Sequence, residues 1–397
     1  MPNVLIVRGH QVTPWELRPW LELPERFNVS YLLTRSNKFA TPEGLRAVGI
    51  RTLRDVLPRG IVGATLPLAL DDRYLGGERS FSQADIVHAE ELSYWFAAEA
   101  ARRKDRYSFK LVQTVWETIP MLTAYRNRKD RRHRELVLAK TDLFLPATER
   151  AAQALQLEGV APERIMVCSP GIDTARFATD AVSAGSSESG HSSETQHTIV
   201  SPGRLVWEKG HHDVLRAVAA LHRGIVTAPS GKILTPRLRI VGSGPEENRL
   251  RAHACELGLA GAVDIGSVPY EQMPDVFARS SALVLASQSS ATAAYHPFDV
   301  PHAFWEEQFG LVFAEAMAAG LAIVATRSGA ISEVLAGTPV DLLEPGDWIN
   351  IARTLASGPL SRHPGARVSY PQELIERYST TAAAERLVSA YDRVIDG

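Results

Sequence analysis

The stretch Trp305-Glu306-Glu307-Gln308-Phe309-Gly310-Leu311-Val312-Phe313-Ala314-Glu315-Ala316-Met317-Ala318-Ala319-Gly320-Leu321-Ala322-Ile323-Val324-Ala325 orders the reading of the chain. Two carboxylates, Glu307 and Glu315, stand either side of a Phe-Gly step, followed by small residues, a glycine and an apolar β-branched run. Gly310 opens a helix, Gly320 occupies the place of a helix-ending glycine, and Leu321 onward reads as a buried strand. Free N–H groups at the start of such a helix, at Gly310, Leu311 and Val312, suit a phosphate. At the helical rise Glu315 lies roughly 7 Å further along the axis, within reach of a second part of the same ligand. A phosphate bracketed by two hydroxyl acceptors fits a nucleotide sugar. The alternative is a locally capping Glu315 and a solvated Glu307.

The same strand-and-helix alternation extends in both directions. Upstream, Val4 to Val7, Val29 to Leu33, Ile86 to Ala89, Leu111 to Val115, Leu143 to Leu145 and Ile165 to Val167 read as strands. Further strands are expected at Ile199-Val200, Leu238 to Val241, Val263 to Ile265, Leu283 to Ala286, Ile323 to Ala325 and Val340 to Leu343. Continuous apolar runs separated by helices imply parallel sheets covered on both faces, with ligands beyond the carboxyl ends of the strands. That points to the loops Arg8 to Pro14, Trp116 to Pro120 and Ser169 to Asp173. The Ser- and Gly-rich stretch from Asp180 to Gln196 cannot offset ordering by burial and reads as a linker. The expected organisation is therefore a Rossmann-like α/β domain over 1–178, a linker over 179–197, and a second Rossmann-like domain over 198–373, facing each other across a cleft. The terminal helical stretch, 374–397, can pack on either.

Composition narrows the function. With 45% apolar and 22% charged residues and a net charge of −2, the 397-residue chain is a globular protein with no overall pull toward nucleic acid or a membrane. Two cysteines, Cys168 and Cys255, are too few for a disulfide framework, and the N-terminal apolar run is broken at Arg8, so a cytoplasmic protein is expected. The basic run over 126–134 is either a solvated helix face or a contact with anionic lipid or an anionic acceptor at the membrane. Ser287 to Phe304 is an insertion that borders Glu307. Gly242-x-Gly244 lacks a third glycine and reads as a tight turn.

The second domain opens with Ser201-Pro202-Gly203-Arg204-Leu205-Val206-Trp207-Glu208-Lys209-Gly210. Arg204 and Lys209 supply a fork and a point charge for a diphosphate on which negative charge builds. With Arg204 to Gly210, Val241 to Glu246, Ile265 to Val268 and above all Glu307 to Gly320, the chain resembles the retaining GT-B glycosyltransferases of family 4. Less sharply, Thr141 to Thr148 and Ser169 to Phe177 agree with the same family.

The resemblance implies a role for each matching position. Arg204 and Lys209, with Gly203 beside them, hold the donor's phosphates; Glu307 meets the sugar hydroxyls and Glu315 the ribose. Phe309, Gly310, Leu311 and Val312 offer backbone amides, and the loop at Val268 lies against the base. It implies front-face transfer with retention, no metal, no cofactor besides the nucleotide-sugar donor, and a final helix returning to the first domain. The chain departs from the family where Arg8-Gly9-His10-Gln11 replaces a Gly-rich loop and where Trp116-Glu117 replaces His-Asp. Glu117 either replaces the acid or caps the turn after it, and His10 lines the acceptor side rather than acting chemically. The acceptor stays unidentified: a lipid, a glycan or a small molecule. A nucleotide-sugar epimerase on the same fold and a non-catalytic nucleotide-sugar-binding protein are the competing readings.

Overall fold

The computed structural model describes residues 1–57, 71–122, 128–178, 196–289 and 305–397. The linker expected at 179–197 and the insertion before Glu307 fall almost wholly outside the described residues, as do the first positions of the basic run. The chain divides into two compact units, Met1–Ile172 with Arg377–Gly397, and Asp173–Glu376.

The first unit carries a seven-stranded sheet: β1 (Asn3–Ile6), β2 (Asn28–Thr34), β3 (Arg46–Thr52), β4 (Tyr74–Leu75), β5 (Ile86–Glu90), β6 (Lys110–Val115) and β7 (Leu143–Pro146), in the order β4-β3-β2-β1-β5-β6-β7. All neighbours run parallel except β3 and β4. β1 and β7 are buried almost throughout, as apolar runs covered on both faces must be, and β5 is buried throughout although it carries His88 and Glu90. β3 escaped the sequence reading because its residues, Arg46-Ala47-Val48-Gly49-Ile50-Arg51-Thr52, are mostly exposed and interrupted by a glycine. Ile165 to Val167, expected as a strand, is not one. It makes a single parallel bridge from Ile165 to Phe144, with Met166 N–H donating to the Phe144 carbonyl, so it only fringes β7.

The terminal stretch is two helices, Gln372–Arg377 and Thr380–Asp396, rather than one. Ser379 breaks it: its hydroxyl caps the second helix by accepting from Ala382 N–H at 3.1 Å, while its backbone bridges to Ile172. The approach needs a glycine at 171, where an added Cβ would lie 2.6 Å from the Ser379 carbonyl oxygen. The second helix then buries Leu387, Ala390, Tyr391 and Val394 against Val4, Ile6 and Trp20 of the first unit.

The second unit carries a parallel six-stranded sheet: β8 (Thr198–Pro202), β9 (Arg237–Val241), β10 (Val263–Gly266), β11 (Ala282–Leu285), β12 (Ala322–Thr326) and β13 (Leu342–Leu343), ordered β10-β9-β8-β11-β12-β13. The helices His211–His222 and Trp348–Ser357 pack together over it. Thr174–Phe177, taken from sequence as the end of the first domain, belongs to this unit: Phe177 packs on Phe277 and Tyr270 with ring centroids 5.7 and 6.1 Å apart. In both sheets the chain begins in the middle, winds outward one way, and then returns to wind the other way. The switch points fall between β1 and β5 and between β8 and β11, which is where open α/β sheets bind ligands.

Candidate functional site

The helix expected after Gly310 runs Leu311–Ala318. Gly310 precedes it at φ +78°, and an added Cβ there would sit 2.7 Å from the Phe313 ring. At the other end Gly320, at φ +61°, donates to the Met317 carbonyl and Leu321 N–H donates to that of Ala316, a paired closure of the last turn. Phe309 is buried, whereas Gly310, Leu311 and Val312 are half-buried at the open end of the helix.

Glu307, 5% exposed, lies in the loop before that helix. Both its carboxylate oxygens accept from the Lys209 ammonium, at 2.8 and 2.6 Å, and one also accepts from the Ser287 hydroxyl at 2.8 Å. Its backbone N–H donates to Ser328 Oγ at 3.1 Å, and its carbonyl accepts from Ala330 N–H at 2.9 Å. The loop can lie this close because Gly329, at φ +52°, has no Cβ to meet the Glu307 carbonyl. Lys209 stands 5.2 Å from the centre of the Trp305 ring. Lys209 follows β8 and Ser287 follows β11, so the pair sits at the switch point of this sheet.

Arg204, also after β8, is exposed and makes no side-chain hydrogen bond or ion pair with the other described residues. Its loop is held from behind. Gly203 N–H donates to the Val241 carbonyl, Leu205 N–H to that of Ser243, and Glu246 N–H to that of Leu205. Gly242 is a close-approach residue, since a Cβ there would fall 1.8 Å from the Gly203 carbonyl oxygen. The glycine pair is thus a packing turn for the Arg204 loop. His211 is fully buried beneath it, with Nδ1 2.9 Å from Ser201 Oγ and Nε2 3.2 Å from the Arg204 carbonyl oxygen. Burial pushes its imidazole down to about 4.

Glu315, 6% exposed, accepts from Tyr270 Oη at 2.8 Å. Burial pushes its carboxyl up to about 7 against the opposing pull of the Tyr270 hydrogen bond and the Arg176 charge. The Arg176 guanidinium lies 5.3 Å from the Tyr270 ring centre. Tyr270 is two residues beyond half-buried Val268, so the Val268 loop and Glu315 meet through this hydroxyl.

In the first unit the loops after β1, β5 and β6 form a second polar cluster. His10 is engaged at both nitrogens: Nδ1 lies 2.8 Å from Thr34 Oγ1 and Nε2 2.7 Å from Asp72 Oδ2. Asp72 is held below the usual carboxylate range, where the His10, Arg54 and Arg73 N–H groups outweigh burial. Glu117 accepts from the backbone N–H groups of Thr118 and Ile119 at 3.0 and 2.9 Å, the capping arrangement. Trp116 is pinned by its backbone N–H to Glu91 at 2.7 Å and by its indole N–H to Glu90 at 2.6 Å. Burial, then Glu117, pushes Glu91 up to about 8, and burial, then Glu90, pushes Glu16 up to about 7. Arg8 lies 3.5 Å from Glu90 beneath them.

In the described part of the basic run, Arg128, Arg131 and Arg132 are exposed, whereas His133 and Arg134 turn inward to Asp71 and Glu158. That divides the stretch between surface and interior. Among the described residues no helix is long and apolar enough to cross a membrane, and no group of three His, Cys, Asp or Glu side chains is set to hold a metal ion.

Lys209, Glu307, Glu315 and the Gly310 helix start were marked by the sequence. Ser287 was marked only as the start of an insertion bordering Glu307, and Ser328, Tyr270 and His211 were not marked at all. Serine, tyrosine and histidine are ordinary core and loop residues, and only their positions in the segments that follow strand ends mark them.

Comparison with known proteins covers both units. Residues 5–176 match the glycosyltransferase family 4 model and residues 186–357 the model for glycosyl transferases group 1. A D-inositol 3-phosphate glycosyltransferase of Acidothermus cellulolyticus is 28% identical over 352 residues, spanning 77% of this chain and 70% of its own. A GDP-mannose-dependent alpha-(1-6)-phosphatidylinositol monomannoside mannosyltransferase of Mycolicibacterium smegmatis is 30% identical over 207 residues, 49% of this chain and 50% of its own. Among solved structures, Anabaena HepE in complex with UDP and glucose superposes with a TM-score of 0.68 at 17% identity, covering 99% of this chain and all of that one.

Proposed function

Since the chain belongs to the group 1 glycosyltransferases and has their two-domain GT-B fold, we propose that it transfers a sugar with retention of configuration, using the second unit to hold the nucleotide-sugar donor. The observation that carries this reading is the Lys209 ammonium seated on both oxygens of Glu307, beside the open N-terminus of the helix Leu311–Ala318. A diphosphate entering there draws Lys209 partly off Glu307, and the freed carboxylate lone pairs accept sugar hydroxyls. Arg204, whose guanidinium is unengaged among the described residues, completes the cationic side. Glu315 accepts the ribose hydroxyls in place of Tyr270, and the Val268 loop covers the base.

In the transfer itself the acceptor oxygen bonds to the anomeric carbon on the face from which the phosphate departs. The carbon–oxygen bond to phosphate breaks with its electron pair going to the phosphate, and the acceptor proton moves to a phosphate oxygen. Lys209 and Arg204 stabilise the negative charge that develops, the interaction that strengthens most in the transition state. The engaged state of His10 and the capping state of Glu117 agree with a first unit that binds the acceptor without supplying a base.

The relatives' names make UDP- and GDP-sugars the donors to examine first and inositol phosphates and phosphoinositides the first acceptors. The test follows product formation from UDP-glucose and GDP-mannose with and without an acceptor. Glu307→Ala and Lys209→Ala each lower turnover by two orders of magnitude or more. Near-normal transfer by both variants sinks the assignment, and conversion of the donor sugar to its epimer without acceptor replaces transfer by epimerisation.

A further inference from the structure

We propose that His211 is a positioning residue for the donor phosphates: a neutral imidazole of fixed tautomer that holds the Arg204 carbonyl and thereby the direction of the Arg204 side chain. This rests on the donor site proposed above and goes beyond it, because His211 touches no part of the donor.

The tautomer follows from the partners. A carbonyl oxygen only accepts, so the imidazole Nε2 that lies 3.2 Å from the Arg204 carbonyl carries the proton. Nδ1 is then bare and accepts from the Ser201 hydroxyl at 2.9 Å. Ser201 is itself fully buried on β8, so the relay runs from a strand, through a fully buried ring engaged at both nitrogens, to the backbone of Arg204, which is exposed and unengaged among the described residues. The ring is held in register by its place at the start of the helix His211–His222, directly after Gly210. Gly210, at φ +66°, would place a Cβ 1.8 Å from the Ala286 carbonyl oxygen, so this backbone has no room to shift. Gly203 lies in front of the ring, where an added Cβ would come within 3.8 Å of Nε2.

A short hydrogen-bonding strut is what this loop needs. Arg204 must stay clear of carboxylates to remain available to phosphate, so no ion pair can aim it. Fixing the peptide from which it springs is the remaining means, since the preorganised direction of a charge decides what it is worth in a site. The arrangement also specifies how it fails. Without the Ser201 hydroxyl, Nδ1–H becomes the competing tautomer and turns a bare Nε2 lone pair onto the carbonyl, replacing attraction by repulsion.

The experiment compares nucleoside diphosphate with nucleoside, using UDP against uridine and GDP against guanosine, by isothermal titration on the full chain. His211→Ala weakens the diphosphate of the preferred base tenfold or more and leaves the nucleoside within twofold, because ribose and base contacts lie elsewhere. His211→Gln, whose amide N–H can reach the same carbonyl, recovers most of that loss. Ser201→Ala weakens the diphosphate about fivefold in the wild-type background and less than twofold in the His211→Gln background, where no tautomer exists to be lost. Equal loss of diphosphate and nucleoside in His211→Ala, or no loss of either, overturns the strut. So does a Ser201→Ala effect that persists undiminished beside glutamine. A wild-type chain that binds none of the four probes overturns the donor-site reading first and the strut with it.

Discussion

Replacing Glu315 by Gln tests the energetics of the donor end directly. The Glu315 carboxyl is 6% exposed, accepts a hydrogen bond from Tyr270 Oη at 2.8 Å, and is pushed by burial from 4.5 up to about 7. A carboxyl whose folded-state value is raised stabilises the fold while both states are protonated, below about 4.5, and that stability is lost as pH rises through about 7. The shift of 2.5 units, 7 minus 4.5, corresponds to about 3 kcal/mol in full, of which about 2.5 kcal/mol falls between pH 5 and 8. Glutamine keeps a carbonyl oxygen for Tyr270 and has no proton to lose. Glu16 and Glu91, also raised, titrate in the same direction but are common to both proteins and cancel in the difference. Urea unfolding of wild type and Glu315→Gln at half-unit steps from pH 5 to 8 therefore yields a stability difference that moves by about 2.5 kcal/mol in favour of the variant as pH rises. A difference that stays flat within about 0.5 kcal/mol would show that the carboxyl is not buried in the way described.

Further outcomes follow from the same geometry. Nucleotide affinity rises with pH through about 7 in the wild type, because only the ionised Glu315 accepts two ribose hydroxyls, and isothermal titration of Glu315→Gln shows weaker binding without that slope. Lys209→Met and Glu307→Gln each destabilise the chain by about 3 kcal/mol by leaving one member of a buried pair uncompensated, whereas the double variant recovers most of that loss in thermal unfolding while remaining inactive. Gly310→Ala costs about 1–3 kcal/mol and lowers donor affinity, because φ +78° and the Phe313 ring both oppose a Cβ at the start of the helix; circular dichroism melts and nucleotide titration measure the two effects. In the first unit, Tyr391→Phe leaves Trp20 Nε1 and His88 Nδ1 without their shared hydroxyl and costs about 2 kcal/mol in urea unfolding, with nucleotide binding by the second unit unchanged.

Each stretch of the second unit expected as a strand overlaps one in the structure, most fully where the run is apolar and buried on both faces, as in β11 and β12, and least at Val340 to Leu343, where only Leu342–Leu343 pairs. Where burial is one-sided, as in β3, or where a few backbone bonds merely fringe an edge, as at Ile165 to Val167, the sequence pattern and the structure part company. The terminal stretch shows the same limit. Its helical periodicity runs on across Ser379, but a backbone bridge to Ile172, remote in sequence, breaks the helix there.

The sequence by itself determined the local elements of the site: the Phe-Gly helix start, the glycine closure at Gly320, the carboxylates on either side of that start, and the cations after β8. These depend on short-range sterics and on free N–H groups at a helix end, which a local sequence specifies. Tertiary structure decided how those elements are joined. It set Lys209 on Glu307 from 98 positions away, turned Tyr270 onto Glu315, and placed His211 beneath the Arg204 carbonyl. It also gave His10 and Glu117 partners of their own in the first unit. Hydrogen-bond partnership and burial arise only when strand ends distant in sequence are brought together, and they set both the charge state and the direction of each group.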